Sequence, residues 1–102
     1  MIIGLDYDDT YTRDPKFWNN VIDMAHERGH IVLLVTARDD TQHNRLDVYK
    51  DLFGRVDDII FTSGHAKAKF CYDRGYSVDV WTDDNPFFIF NDKARVEKPN
   101  AE

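Results

Sequence analysis

The stretch IIGLDYDDT (residues 2–10) sets a short apolar run directly before a cluster of acids. The apolar part predicts a β-strand, and the run IVLLV at residues 31–35 predicts a second one. Neither run alternates with polar residues, which is typical of strands in a parallel sheet that is covered on both faces. Between them, Asp14 and Pro15 suit the N-cap and first position of a helix. The three elements form a strand–helix–strand unit.

The same alternation continues along the chain. The further predicted elements are a helix with an apolar stripe at Leu46, Tyr49 and Phe53, a strand at 58–61, a helix at 65–74 and a strand at 77–82. Residues 87–90 fit a helical turn or a short edge strand, and we prefer the helix. The order predicts an α/β fold, specifically a three-layer α/β/α sandwich around a mostly parallel sheet. We expect the tryptophans and phenylalanines to lie in its core.

Composition indicates one folded domain. The chain has 102 residues, and its 42% hydrophobic and 14% aromatic content is too high for a disordered chain. We place the domain at residues 1–92 and expect 93–102 to be a charged C-terminal tail, either mobile or a poor edge strand.

Charge and cysteine content limit the classes of function. The formal net charge is −6 and the chain has no basic run, so we expect no tight nonspecific binding to nucleic acid. An anionic substrate stays compatible with this charge, because a bound divalent cation inverts the local potential. Cys71 is the single cysteine, which excludes a disulfide framework. With no apolar run of membrane length and no leader pattern, we expect a cytoplasmic protein that does not bind membranes.

Polar residues gather where the predicted strands end. The strands are followed by DYDDT at 6–10, TAR at 36–38, TSG at 62–64 and DDNP at 83–86. Ligands of open α/β sheets bind at the carboxyl ends of the strands. Two acidic clusters meeting there would repel each other unless a cation lay between them, and clusters of carboxylate oxygens suit Mg²⁺. The four histidines lack the spacing of a zinc site.

These segments, in this order, resemble the motifs of the haloacid dehalogenase superfamily. DYDDT at 6–10 resembles its DxDxT motif, Thr36 its second motif, Lys67 its third and the acid pair at 83–84 its fourth. The resemblance covers residues 2–86, most of the chain. It implies a Rossmann-like sandwich in which the first and fourth strands are neighbours.

The resemblance also implies roles for the acids of the first motif. Asp6 would be the nucleophile that forms an aspartyl-phosphate, and its carboxylate would touch the metal. Asp8 would protonate the leaving oxygen and later take a proton from water, while its backbone carbonyl could bind Mg²⁺. We expect Thr10 to fasten the loop by hydrogen bonds rather than to touch substrate.

The other motifs would complete the site. Thr36 would donate its hydroxyl to the phosphoryl oxygens, and Lys67 would neutralise their charge. Lys69 is the alternative lysine, but Lys67 is nearer the start of its helix and is preferred. Asp83 and Asp84 would complete the metal site.

Together these expectations describe a Mg²⁺-dependent phosphatase. The short connections leave no room for a cap domain, so the site would be open to a large phosphorylated substrate such as a nucleic-acid end, a phosphoprotein or a nucleotide. A small substrate would also fit if an oligomer covered the site. The alternative is a noncatalytic module that binds metal and phosphate. A phospho-receiver domain is disfavoured, because it needs an acidic acceptor where this chain has Thr62-Ser63-Gly64.

Overall fold

The computed structural model describes residues 1–93, which contain four strands and four α-helices. In chain order these are β1 (Ile2–Leu5), α1 (Pro15–Glu27), β2 (Ile31–Thr36), α2 (Gln42–Leu52), β3 (Asp58–Phe61), α3 (Lys67–Asp73), β4 (Val80–Thr82) and α4 (Phe87–Phe90), with a 3₁₀ turn at Tyr11–Arg13. The preferred helix at 87–90 is confirmed. The predicted tail at 93–102 lies outside the described residues, except for Lys93.

The four strands form one parallel sheet in the order β3-β2-β1-β4. β1 is central, with Ile3 paired to Val32 of β2 on one side and to Val80 of β4 on the other. The predicted α/β class, the parallel sheet and the pairing of the first and fourth strands are confirmed. This order brings the acidic ends of β1 and β4 side by side.

Both faces of the sheet are covered by helices. For this reason β2 is apolar at successive positions and does not alternate between apolar and polar residues. Val32 and Leu34 join the core cluster that contains residues of α1 and α2. Leu33 and Val35 join a second cluster with Cys71 of α3. Burying each of these side chains contributes about 1.5–3 kcal/mol. Helices on both faces are compatible with the predicted sandwich.

Helix α1 begins as its sequence predicts. The carboxylate of Asp14 accepts a hydrogen bond from the backbone N–H of Phe17 at 3.2 Å, and Pro15 occupies the first helical position. Ile22 and Ala25 are buried against the sheet. The N-cap therefore fixes the end of the loop that carries the first acidic motif.

The stripe predicted for α2 is wrong. Leu46 is 66% exposed and Phe53 is 74% exposed, whereas Val48 and Leu52 are fully buried. Residues four apart lie above one another on a helix, so Val48 and Leu52 form the stripe that reaches the core. Tyr49 packs at its margin.

Strand β4 begins three residues later than predicted. The carboxylate of Asp79 accepts the backbone N–H of Ile2 at 2.8 Å, so at this point a side chain takes part in the pairing and regular pairing starts at Val80. Trp81 packs over Gly4, where a Cβ atom would come within 2.7 Å of the indole ring. A glycine is therefore required in β1 at this point.

The expectation of buried aromatic residues is only partly correct. Trp18 and Trp81 are half-buried against the core. Four phenylalanines are more than half exposed: Phe17, Phe53, Phe87 and Phe90. Phe61 is buried in the core, together with Tyr7 and Tyr11.

Candidate functional site

The loops at the carboxyl edge of the sheet enclose a cavity of about 310 Å³. All six predicted site residues line it: Asp6, Asp8, Thr36, Lys67, Asp83 and Asp84. They come from the ends of β1, β2 and β4 and from the start of α3. The structure thus brings together every residue chosen from the sequence, at the edge where parallel sheets bind ligands.

The loop after β1 is held in a tight turn. The backbone N–H of Asp6 donates to the carbonyl of Thr82 at 3.0 Å, and Asp9 has a left-handed φ of 62°. The Thr10 hydroxyl lies 3.1 Å from Asp6 Oδ2, to which it donates, and accepts the backbone N–H of Asp84 at 3.1 Å. The predicted fastening role of Thr10 is confirmed, since this one side chain ties the two acidic loops together.

Lys67 lies between the two acidic clusters. Its side chain is 3% exposed, and Nζ donates to Asp6 Oδ1 and to Asp83 Oδ2, both at 2.7 Å. Lys69 instead pairs with Asp73 on the surface. Of the two candidate lysines, Lys67 is the one in the cavity. Its ammonium group also offsets much of the repulsion that we expected between the acids.

Burial and charge act in opposite directions on Asp6. Burial raises the pKa of its carboxyl group to about 6, although the attraction of Lys67 opposes this rise. A cation placed beside Asp6 would lower the pKa again and favour the ionised carboxylate. The site therefore suits an additional positive charge.

Three carboxylates form a set that could hold a metal ion. One oxygen each from Asp6, Asp83 and Asp84 lies within 4.8 Å of the others. With Lys67 included, these side chains carry a formal charge of −2, from three carboxylates and one ammonium group. An all-oxygen set with this charge fits a hard divalent cation such as Mg²⁺. The carboxylate of Asp8 is not in this set, and binding by its backbone carbonyl stays a prediction.

Arg38 holds the carboxylate of Asp8. Its Nε and one terminal nitrogen donate to the two oxygens of Asp8, both at 2.8 Å, and its other terminal nitrogen donates to Asp47 at 2.7 Å. The guanidinium also lies over the ring of Tyr7, 5.1 Å from its centroid. The hydrogen bonds to Asp8 raise the pKa of Arg38. Two parallel bonds fix the orientation of the Asp8 carboxylate at the cavity.

Within residues 1–93, the Thr36 hydroxyl has no acceptor for its proton. Its side chain is 1% exposed, and its hydroxyl oxygen accepts the backbone N–H of Arg38 at 3.2 Å. Because that bond uses only a lone pair, the O–H remains available to a ligand in the cavity. This geometry suits the predicted contact with phosphoryl oxygens.

Lys93 also lines the cavity, together with Phe88. The sequence assigned Lys93 to the tail and the phenylalanine to the core. Short helix α4 turns the chain back so that the backbone N–H of Lys93 donates to the carbonyl of Gly64 at 2.7 Å. Sequence carried no signal for this contact, because it joins two loops 29 residues apart.

Comparisons with protein-family models, with curated proteins and with solved structures found no match. Within residues 1–93, the helices are all too short or too polar to cross a membrane.

Proposed function

We propose that this chain is a Mg²⁺-dependent phosphatase of the haloacid dehalogenase type, which hydrolyses a phosphomonoester through an aspartyl-phosphate on Asp6. The observation that supports this most is the position of Asp6. It is a buried carboxylate at the end of the central strand, bonded to Lys67 and adjoining Asp83 and Asp84. A nucleophile, a charge-neutralising lysine and a candidate metal set thus meet at one point.

The reaction would proceed in two steps. A carboxylate oxygen of Asp6 attacks phosphorus, and the bond from phosphorus to the leaving oxygen breaks while Asp8 gives that oxygen a proton. Asp8 then takes a proton from water, whose oxygen attacks the phosphoryl group, releases inorganic phosphate and restores Asp6. For Asp8 to act, its bonds to Arg38 have to loosen when the substrate binds.

The other residues would stabilise the transferring group. Thr36 and Lys67 donate hydrogen bonds to the phosphoryl oxygens, where negative charge is concentrated in the transition state. A Mg²⁺ ion held by Asp6, Asp83 and Asp84 would supply further charge neutralisation.

The shape of the cavity favours a large substrate of which only the phosphorylated end enters. Its volume of about 310 Å³ is at the lower end of the range for ligand sites. The loops between consecutive elements within residues 1–93 are too short to contain a cap domain. Such a site would accept the phosphorylated end of a nucleotide, a nucleic acid or a protein.

A noncatalytic module that binds metal and phosphate is the second candidate. The observation that favours it is the ion pair of Asp8 with Arg38, which occupies both oxygens of the proposed acid. A binding module, however, has no need of two acids placed for attack and for proton transfer. The following experiment separates the two functions.

We expect Asp8→Asn to accumulate phosphoenzyme when it is mixed with an activated aryl phosphate and Mg²⁺. Such esters need little protonation of the leaving oxygen, so Asp6 can still be phosphorylated, whereas the loss of the base slows hydrolysis by about 10²–10⁴. Intact-protein mass spectrometry should show the added mass of one phosphoryl group. The double variant Asp6→Asn/Asp8→Asn is the control and should show none. A binding module would give no covalent adduct with either protein.

We also expect Mg²⁺ to raise the melting temperature. A ligand at ten times its Kd stabilises the native state by about 1.4 kcal/mol, which corresponds to several degrees for a domain of this size. The measurement is thermal unfolding in EDTA and in millimolar Mg²⁺. The matched control is Asp84→Asn, which keeps side-chain volume but removes one ligand charge and should shrink the shift. A wild-type melting temperature that ignores Mg²⁺ would contradict the metal site.

A further inference from the structure

We propose that Lys93 binds a second anionic group of the substrate, so that the site prefers phosphomonoesters with another phosphate or a phosphodiester close to the scissile group. This inference rests on the proposed function and adds the substrate class to it.

Two hydrogen bonds join the segment that carries Lys93 to the residues just before α3. The backbone N–H of Lys93 donates to the carbonyl of Gly64 at 2.7 Å, and the backbone N–H of Ala66 donates to Asp92 Oδ1 at 2.8 Å. A Cβ atom on Gly64 would lie 3.5 Å from Cβ of Lys93, which shows how closely the two segments approach. Lys93 is therefore held beside the cavity through its own backbone N–H and through the side chain of its neighbour Asp92.

Among the three cations that line the cavity, Lys93 differs in forming no ion pair within residues 1–93. Lys67 is bonded to Asp6 and Asp83, and Arg38 is bonded to two carboxylates. No carboxylate within residues 1–93 forms an ion pair with Lys93. A lysine that lines the cavity and has no carboxylate partner among residues 1–93 is available to an incoming anion.

Lys67 and Lys93 line the same cavity but differ in their contacts. The transferring phosphoryl group belongs beside Asp6, where Lys67 already donates and where a metal ion would also bind. Lys93 follows α4, which contains Phe88, and both residues line the cavity. The ring of Phe88 offers an apolar surface for the organic part of a substrate that carries two anionic groups. A nucleotide unit has this combination of a planar ring and closely spaced phosphates.

The test compares Lys93→Gln with wild type on three substrates in Mg²⁺: an aryl phosphate, a nucleoside 3′,5′-bisphosphate and a phosphorylated oligonucleotide. A charge-assisted hydrogen bond is worth about 1.5–3 kcal/mol, so KM for the substrates with a second phosphate should rise about tenfold or more, with kcat unchanged. KM for the aryl phosphate should stay within about twofold of wild type. Lys16 is an exposed lysine of α1, and Lys16→Gln removes the same charge away from the cavity. This control should change none of these values.

The outcomes separate the sources of the second anion. A rise in KM for the bisphosphate alone indicates a small nucleotide, a rise for the oligonucleotide alone indicates a nucleic-acid end, and either supports the proposal. An equal effect on all three substrates, or no effect, overturns it while leaving phosphatase activity established.

If wild type hydrolyses none of the three, the proposed function fails, and the Lys93 inference is then tested by calorimetry. Titration of the bisphosphate and of the aryl phosphate into wild type and Lys93→Gln should show a loss of affinity confined to the bisphosphate. Equal affinities of the two proteins for the bisphosphate would overturn the inference.

Discussion

We expect Asp6→Asn to lower kcat/KM at least about a thousandfold, which corresponds to about 4 kcal/mol of activation free energy. An amide is a poor nucleophile toward phosphorus, and the substitution also removes one charge from the candidate metal set. The substitution preserves the volume of a residue that is 8% exposed, and Lys67 keeps its ion pair with Asp83, so the fold should survive. The measurement is the steady-state hydrolysis of an aryl phosphate at saturating Mg²⁺.

Asp9→Asn is the matched control for this experiment. Asp9 is an exposed acid of the same loop, it lines the same cavity, and asparagine tolerates its left-handed backbone. It has no assigned role in the reaction, so we expect its activity to stay within about tenfold of wild type. Rapid Mg²⁺-dependent hydrolysis by Asp6→Asn would falsify the aspartyl-phosphate mechanism.

The sequence predicted the parts of the fold that depend on local chemistry. Runs such as residues 31–35 identified the strands because a strand buried on both faces needs continuous apolar residues. Asp14 and Pro15 identified the start of α1 because the capping geometry needs those residue types. The acids at the strand ends could be placed in one site because parallel strands bring their carboxyl ends to one edge.

The errors arose where tertiary packing chooses between local alternatives. In α2, two different stripes of apolar residues were available, and only the sheet determines that Val48 and Leu52 face inward while Leu46 faces solvent. Likewise, β4 is short because Asp79 bonds to Ile2 of the neighbouring strand. Neither choice can be made from one segment alone.

Site residues that act through distant partners were the hardest to predict. Arg38 stands in the sequence only as a polar residue after the second strand, yet it bonds both oxygens of Asp8, 30 positions earlier in the chain. Lys93 was assigned to the tail. Its backbone contact with Gly64 depends on the turn made by α4, which the sequence does not reveal. In both cases the residue type was visible in the sequence, but its partner was not.

Lys67 changes the expected balance of charge in this site. From sequence we expected the acidic clusters to repel each other until a cation bound. Lys67 already bridges Asp6 and Asp83 at 2.7 Å from each. A buried ion pair therefore joins the two acidic loops at this point, and we expect the stability of the site without metal to depend on this ammonium group.

We expect Lys67→Met to destabilise the protein in EDTA by about 3–5 kcal/mol, because removing one partner of a buried ion pair leaves the other charges uncompensated. Mg²⁺ should restore part of this loss, since a cation bound to the same carboxylates supplies the missing charge, but phosphatase activity should stay low without the donor to the phosphoryl group. Denaturant unfolding with and without Mg²⁺ measures the first effect.

Lys69→Met, at the exposed pair with Asp73, should change neither stability nor its dependence on metal. If Lys67→Met were as stable as wild type in EDTA, the ammonium group of Lys67 would not be required to offset the repulsion between the acids of this site.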